Sequence, residues 1–286
     1  MTPEKINSLL DVASQYDTIF TDMFGVIWDG EAFFDGVIET FANLKQLGKK
    51  IYIISNATTV GSLMSEKAQK AGLKLGTHFD GFITSGDTLK DKLAHGFFDT
   101  IADKSDYHFY IIGRDNPLLF NGLEHHKTSD LKKADFVYIG SLIVNGIHPT
   151  SLEAFLPDLQ QAVSLNLPAV CANPDFFALY KNLKYYTGGS AAKWYEEHGG
   201  TAYWIGKPYT NIFDYALKIT GADKHTTVMI GDTLRTDIAG AKNAGLDSIL
   251  ITGRGITHDD IQNGKTLEEC FKENNVQPTY LLDMIK

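Results

Sequence analysis

Short apolar runs rich in β-branched residues alternate along most of the chain with segments whose apolar positions recur every three or four residues. YDTIFTD at 16–22 predicts a strand, and so does KIYIIS at 50–55. Between them Val37, Phe41, Leu44 and Leu47 fall on one helical face, and Gly48 is placed to end that helix. A second helical stretch at 63–71 closes at Gly72 and leads to a strand at 81–84. This βαβαβ succession predicts a parallel sheet covered by helices.

The last third repeats the theme. Strands are expected at 202–205, 226–230 and 248–251, with helices at 212–219 and at 238–244 up to Gly245. The stretch from about 88 to 200 alternates too: FYIIG and DFVYIG read as strands, followed by a helix over 151–165 and the strand PAVCA. No Pro/Gly/Ser-rich linker and no short repeat separates these parts. The first seventeen residues form a charged, amphipathic pattern that predicts a helix and not a signal peptide.

Composition narrows the function classes. The 286 residues include 26 Lys and Arg against 35 Asp and Glu, a formal net charge of −9. Nucleic acid or an anionic membrane surface would need a basic stripe, so neither is an expected partner. No apolar run reaches the ~18 residues of a membrane span. Cys171 and Cys270 stand far apart and outside any C-x-x-C, which excludes a disulfide scaffold or structural zinc site and makes a reducing cytoplasm the expected compartment. None of the nine histidines forms H-E-x-x-H or another close ligand pair. An α/β enzyme or a small-molecule binder remains.

In open parallel α/β sheets ligands bind outside the carboxyl ends of the strands. Four such ends carry unusual chemistry: Asp22 in TDMFGVIWDG, Ser55 in IISNAT, Lys207 in IGKPYT, and Asp232 in IGDTLRTD. Each has a plain explanation taken singly. Asp22 and Asp232 could open turns, Ser55 could cap the next segment, and Lys207 could be an exposed lysine at a helix start. Their joint occurrence in this order points instead to phosphoryl transfer through an aspartyl-phosphate. A carboxylate attacks phosphorus if a metal and a cation neutralise the phosphoryl oxygens. Mg²⁺ prefers oxygen ligands and takes one or two carboxylates with waters and substrate phosphate. Asp22 and Asp232 fit that need, with Asp237 in support. Lys207 would place a positive charge between Asp22 and the phosphate, and Ser55 would donate a hydrogen bond to it. Backbone N–H groups of the 22–24 and Asn56 turns would complete an anion nest.

The ordered set D-x-x-G-V, h-h-S-N, G-K-P and G-D-x-x-x-x-D resembles the haloacid dehalogenase superfamily of hydrolases. The branch it looks like is the type II-A cap group of p-nitrophenylphosphatase, pyridoxal-phosphate phosphatase and NagD-like sugar phosphatases. The large insertion between Ser55 and Lys207 supports that branch, as do the phrases TSGDTLKDKL, ANPD and TGGSAAKWYEEHGG. The resemblance spans about 17–253. It implies a doubly wound, Rossmann-like α/β core at 1–87 and 201–286 and an inserted α/β cap at 88–200. It implies a phosphatase acting on a small phosphorylated metabolite. Asp22, Ser55 and Lys207 would be catalytic, Ser55, Asn56 and Lys207 would hold substrate, and Asp22, the Phe24 backbone carbonyl, Asp232 and Asp237 would hold Mg²⁺.

One position departs. Family phosphatases carry D-x-D-G, the second aspartate being the general acid/base, whereas here the run is Asp22-Met23-Phe24-Gly25. The carbonyl that ligates metal remains and the proton-transfer group is gone. General acid–base catalysis is typically worth 10²–10⁴-fold, or roughly 3–5 kcal/mol of barrier. Low turnover is therefore expected, with a catalytically impaired phosphometabolite binder as the alternative reading. Dehalogenases of the superfamily also carry an aromatic there, so displacement from carbon is a third reading. They lack the G-D-x-x-x-x-D acids, which without a cation would only repel Asp22.

Other candidates have plainer roles. Asp29 is the nearest replacement acid, but Asp-Gly marks a turn. Asp175 could reach the site, but N-P-D is first a turn and helix-start signal. Gly188-Gly189-Ser190 is either an anion nest or a hinge. Arg114 after FYIIG could steer an anionic substrate, but a lone loop arginine is usually solvated. The pairs Phe97-Phe98, Phe176-Phe177 and Tyr185-Tyr186 are assigned to core packing or a homodimer surface. Gly253-Arg254-Gly255 hints at a dinucleotide loop, but His258 stands at the third glycine position, so that reading is rejected.

Overall fold

A computed structural model describes residues 2–95, 107–180 and 183–286; Phe97 and Phe98 lie outside them. In chain order the elements are β1 (Glu4–Ile6), β2 (Thr18–Thr21), α1 (Val37–Gln46), β3 (Lys50–Ser55), α2 (Gly61–Lys70), β4 (Gly81–Thr84), α3 (Ser85–Ala94), β5 (Phe109–Ile112) and β6 (Phe136–Ile139). Then follow α4 (Leu156–Ser164), β7 (Pro168–Cys171), β8 (Phe177–Tyr180), β9 (Leu183–Tyr186), α5 (Gly188–Glu197), β10 (Thr201–Trp204) and α6 (Thr210–Thr220). The chain ends in β11 (Thr227–Gly231), α7 (Ala239–Ala244), β12 (Asp247–Ile251), α8 (Gly255–Gln262), α9 (Leu267–Asn274) and β13 (Tyr280–Leu282). The helix ends follow local chemistry. Gly221 and Gly245 close α6 and α7 in the left-handed conformation that glycine adopts without a Cβ clash. Thr84 with Asp87 and Thr266 with Glu269 form capping boxes that open α3 and α9.

The chain divides into two compact units. The first comprises Met1–Ser55, Gly61–Ile83 and Lys207–Lys286. Its sheet has the order β1-β13-β12-β11-β2-β3-β4. β2 pairs in parallel with β3 on one side and β11 on the other, and β11, β12, β13 and β1 continue in parallel. The strand order thus reverses between β2 and β11, the switch point where open α/β sheets leave a crevice at their carboxyl ends. Phe20, Ile54 and Met229 pack with Ile212, Phe213 and Ala216 of α6 and Ala241 of α7 in its core.

The second unit comprises Asn56–Val60 and Thr84–Gly206. Its parallel sheet runs β10-β7-β6-β5, and β8 and β9 form a separate antiparallel pair. Val137, Ile139, Ala169 and Cys171 pack against Leu159 of α4 and Ala191, Ala192 and Tyr195 of α5. Phe109, Phe120, Phe136 and Tyr138 form an aromatic cluster beside it.

The doubly wound α/β core and a second α/β unit are as expected, with local differences. The strand at 201–204, expected in the core, pairs along its whole length with β7 of the second sheet, and that pairing moves the return to the first unit to Lys207. The helix expected over 151–165 begins at Leu156, with Pro157 in its first turn, where a missing N–H costs nothing. The expected N-terminal helix is instead β1 followed by two 3₁₀ turns, because Glu4–Ile6 pairs with β13. The helix expected at 238–244 is preceded by a π-helical turn at Leu234–Ile238.

Candidate active site

Asp22 follows β2 directly, and its N–H donates to Ile230 of β11 at 2.8 Å, extending the ladder to the switch point. Its carboxylate oxygen lies 2.6 Å from Lys207 Nζ. The same Nζ is 2.7 Å from Asp237 Oδ1 and donates to the Ile54 carbonyl at 3.1 Å. Lys207 therefore ties the ends of β2 and β3 to the π-helical turn after β11. Ser55, buried at the end of β3, is the residue after that Ile54 carbonyl.

Asp232 follows β11 directly and is held from three directions. Ile256 N–H at the start of α8 donates to Oδ2 at 2.7 Å, Thr233 Oγ1 donates to Oδ1 at 3.2 Å, and Thr257 N–H donates to its carbonyl at 3.2 Å. Asp237 Oδ2 accepts from Thr233 N–H at 3.1 Å. Oxygens of Asp22, Asp232 and Asp237 all lie within 4.8 Å of one another. Two glycines make room for this. A Cβ on Gly25 would lie 2.6 Å from Asp232 Oδ2, and one on Gly255 only 2.1 Å, and both residues have positive φ. Gly231 is equally constrained, since a Cβ there would fall 2.0 Å from that of Asp237.

The three acids differ in access. The Asp22 side chain is 15 % exposed, while Asp237 and Lys207 retain only 1 % and 3 %, so Asp22 alone of these has a face open to a reactant. Burial pushes the Asp22 carboxyl up to about 7, with Asp237 adding to the rise and Lys207 opposing it. Asp232 is likewise raised well above the usual carboxylate range, by burial and then by Asp237 and Asp22. Burial works against the Lys207 charge, but Asp22 and Asp237 outweigh it and hold the ammonium protonated. Three carboxylates against one lysine leave a net −2 when all are ionised (−3 + 1), the charge that a divalent cation cancels. The oxygen donor set also suits Mg²⁺.

The remaining candidates separate cleanly. The Phe24 side chain is 49 % exposed and has no ionisable group. Asp29 Oδ1 accepts from Glu31 and Ala32 N–H at 2.7 Å each, and these bonds hold its carboxyl low, which suits a turn anion and not a proton donor. Asn56 belongs to the second unit, where its Nδ2 donates to Asp175 Oδ1 at 3.0 Å and its Oδ1 accepts from Ser85 at 3.3 Å. Gly188 and Gly189 are close-approach residues: a Cβ would meet Gly140 O at 2.5 Å and Asp175 O at 2.3 Å, respectively. Arg114 is exposed. Ile256 is no sequence candidate, and Gly255 stands out there only within the rejected dinucleotide-loop pattern around Arg254. A hollow of about 770 Å³ elsewhere on the first unit, walled by Glu4, Lys242, Phe271 and Tyr280 among others, contains none of these acids.

The fold and the cluster define a class: a doubly wound α/β protein whose sheet switch point carries a carboxylate–lysine centre. Two family models match, one described as haloacid dehalogenase-like hydrolase over 19–118 and one as HAD-hydrolase-like over 204–286. Both ends of the chain thus match haloacid dehalogenase-like hydrolases. It is 24% identical over 302 residues to phosphoglycolate phosphatase 2 of Arabidopsis thaliana, covering 98% of this chain and 95% of that one. Acid sugar phosphatase of Staphylococcus haemolyticus is 26% identical over 275 residues, with 93% and 92% covered. A haloacid dehalogenase-like hydrolase from Brucella suis superposes with a TM-score of 0.81 at 27% identity, covering 98% of this chain and all of that one.

Proposed function

We propose that this chain is a Mg²⁺-dependent phosphatase that hydrolyses a small phosphomonoester, a sugar phosphate or similar metabolite, through an aspartyl-phosphate on Asp22. As an enzyme it is a phosphoric monoester hydrolase, the activity named for its relatives. The observation that carries the reading is the partly exposed Asp22 carboxylate set against Lys207, with Asp232 and Asp237 within 4.8 Å. Asp22, the Phe24 carbonyl and Asp232 are the proposed Mg²⁺ ligands, with Asp237 in support. Bound there, the cation offsets the negative charge of carboxylates and phosphoryl oxygens.

In the first half-reaction an Asp22 oxygen forms a bond to phosphorus as the bond to the leaving oxygen breaks. Lys207 and the Ser55 hydroxyl bind phosphoryl oxygens, and Asn56 is the third proposed substrate-binding residue. In the second, water attacks phosphorus, and inorganic phosphate leaves with Asp22 restored. Phe24 can neither protonate the departing oxygen nor deprotonate the water, so both halves are slow by the 10²–10⁴ that such a group typically supplies. The same feature favours a second reading, a phosphometabolite binder that keeps the metal cluster without turnover. The two buried free cysteines support a reducing, cytoplasmic setting. No helix among the described residues is long and apolar enough to cross a membrane.

Turnover of p-nitrophenyl phosphate with and without Mg²⁺ tests the proposal. The expected result is slow release of nitrophenol that requires Mg²⁺ and disappears in Asp22→Asn. A wild-type protein that binds Mg²⁺ and phosphate but leaves a broad phosphate panel intact supports the binder instead.

A further inference from the structure

Asp232 is oriented by two loops distant in sequence. One follows Asp22 and folds back on itself, with Gly25 N–H donating to Trp28 O at 3.0 Å and Phe34 N–H to Ile27 O at 3.1 Å. The other is the segment before α8, where Gly255 abuts the Asp232 carboxylate and Ile256 N–H donates to it. The two loops touch over that carboxylate: a Cβ on Gly25 would stand 3.3 Å from Gly255 Cα. Neither glycine brings a side chain to this contact.

Arg254 lies between the glycines of the second loop. Its guanidinium carbon sits 3.9 Å from the centroid of the Phe34 ring, a close stacking distance for a planar cation on an aromatic face. Burial works against its charge, with Asp283 and Asp35 opposing that effect, and Nη1 is buried without a hydrogen-bond partner. The preceding residues are anchored separately, Thr252 and Gly253 N–H donating to Leu282 and Asp283 carbonyls at 2.9 and 2.8 Å. The guanidinium thus reaches from the anchored second loop to the first.

We propose that Arg254 is a positioning residue for the metal centre: stacked on Phe34, it clamps the loop after Asp22 to the start of α8 and so fixes the direction of the Asp232 oxygens. This inference rests on the metal reading of the cluster. Partners that orient a metal's ligands typically change metal affinity by about 10–100-fold when removed. The clamp should therefore appear in Mg²⁺ affinity and not in chemistry at saturating metal.

Calorimetric titration of Mg²⁺ into the full-length protein tests it, using Arg254→Met, Phe34→Leu, Phe34→Tyr and the Arg254→Met/Phe34→Leu double variant. Thermal melts in EDTA check that each is folded. The first two variants are expected to weaken Mg²⁺ binding about tenfold, and the double variant about as much as either alone. Phe34→Tyr, which keeps the ring, should bind like wild type. Turnover at saturating Mg²⁺ should return to the wild-type rate in all of them. Arg254→Met binding within twofold of wild type, or losses that simply multiply in the double variant, overturns the clamp. Wild type giving no Mg²⁺ heat at all contradicts the metal reading itself, and the clamp with it.

Discussion

At the scale of single residues, the proposed chemistry turns on what stands two positions after Asp22. Phe24 is half exposed and contributes little to the core, so replacing it should leave the fold intact. Phe24→Asp puts a carboxylic acid where family phosphatases carry one. Turnover of an alkyl phosphate, whose alkoxide departs poorly unprotonated, is expected to rise by roughly 10²–10⁴, and that of p-nitrophenyl phosphate by less. Initial rates on the two substrates check this, and no gain on either would mean that another group already moves the proton. Asp22, Ser55, Lys207, Asp232 and Asp237 were legible in the sequence because strand ends and motif spacing mark them. The holders of Asp232 were not, because Ile256 lies 24 positions away and meets it only through the fold.

At the scale of elements, the alternation of strands and helices was readable and sheet membership was not. Residues 201–204 look like any half-buried strand, and their pairing with Pro168–Cys171 is a non-local choice that leaves no local mark. Short elements such as β1, β13 and the β8–β9 pair escape detection for a related reason, since three or four residues hold too little periodicity to count. The glycines at the start of α5 were ambiguous between nest and hinge until their surroundings were known. A Cβ on Gly189 would press against the backbone of Pro174 and Asp175 at 2.3–2.8 Å, with no flexible side chain to yield. Gly189→Ala should destabilise the second unit by roughly 1–3 kcal/mol, read as a lowered melting temperature. An unchanged melt would show that the 173–175 segment shifts freely.

At the scale of the whole molecule, the net charge of −9 has a local component that depends on pH. The carboxyl of Asp22 stands at about 7 in the folded protein against 3.8 ordinarily, and Asp232 is raised as well. Between those values the folded state holds protons that the unfolded chain has released, so stability falls as pH rises through the window. Asp29 and Glu269 are shifted the opposite way, so their contribution is lost only as pH falls through the acid range; His78, whose imidazole is pushed down by burial, opposes the trend below its ordinary 6.5 and is outweighed by the two carboxyls. The metal-free protein is therefore expected to melt at a lower temperature at pH 7.5 than at pH 5. Mg²⁺ should raise the melting temperature more at the higher pH, where the carboxylates are free to bind it. Melts in EDTA and in Mg²⁺ across this range check both statements, and a metal-free melting temperature that climbs with pH contradicts them.

The central claim is that Asp22 becomes phosphorylated, and its most direct test is chemical trapping. With p-nitrophenyl phosphate the leaving group departs without help, whereas water attack still lacks a base, so the aspartyl-phosphate should accumulate. The protein is mixed with substrate and Mg²⁺, quenched in acid, reduced with borohydride and mapped by peptide mass spectrometry. The account predicts homoserine at position 22 in the Mg²⁺ sample and unmodified aspartate there in EDTA. Nitrophenol released under those conditions with Asp22 unmodified throughout would contradict it.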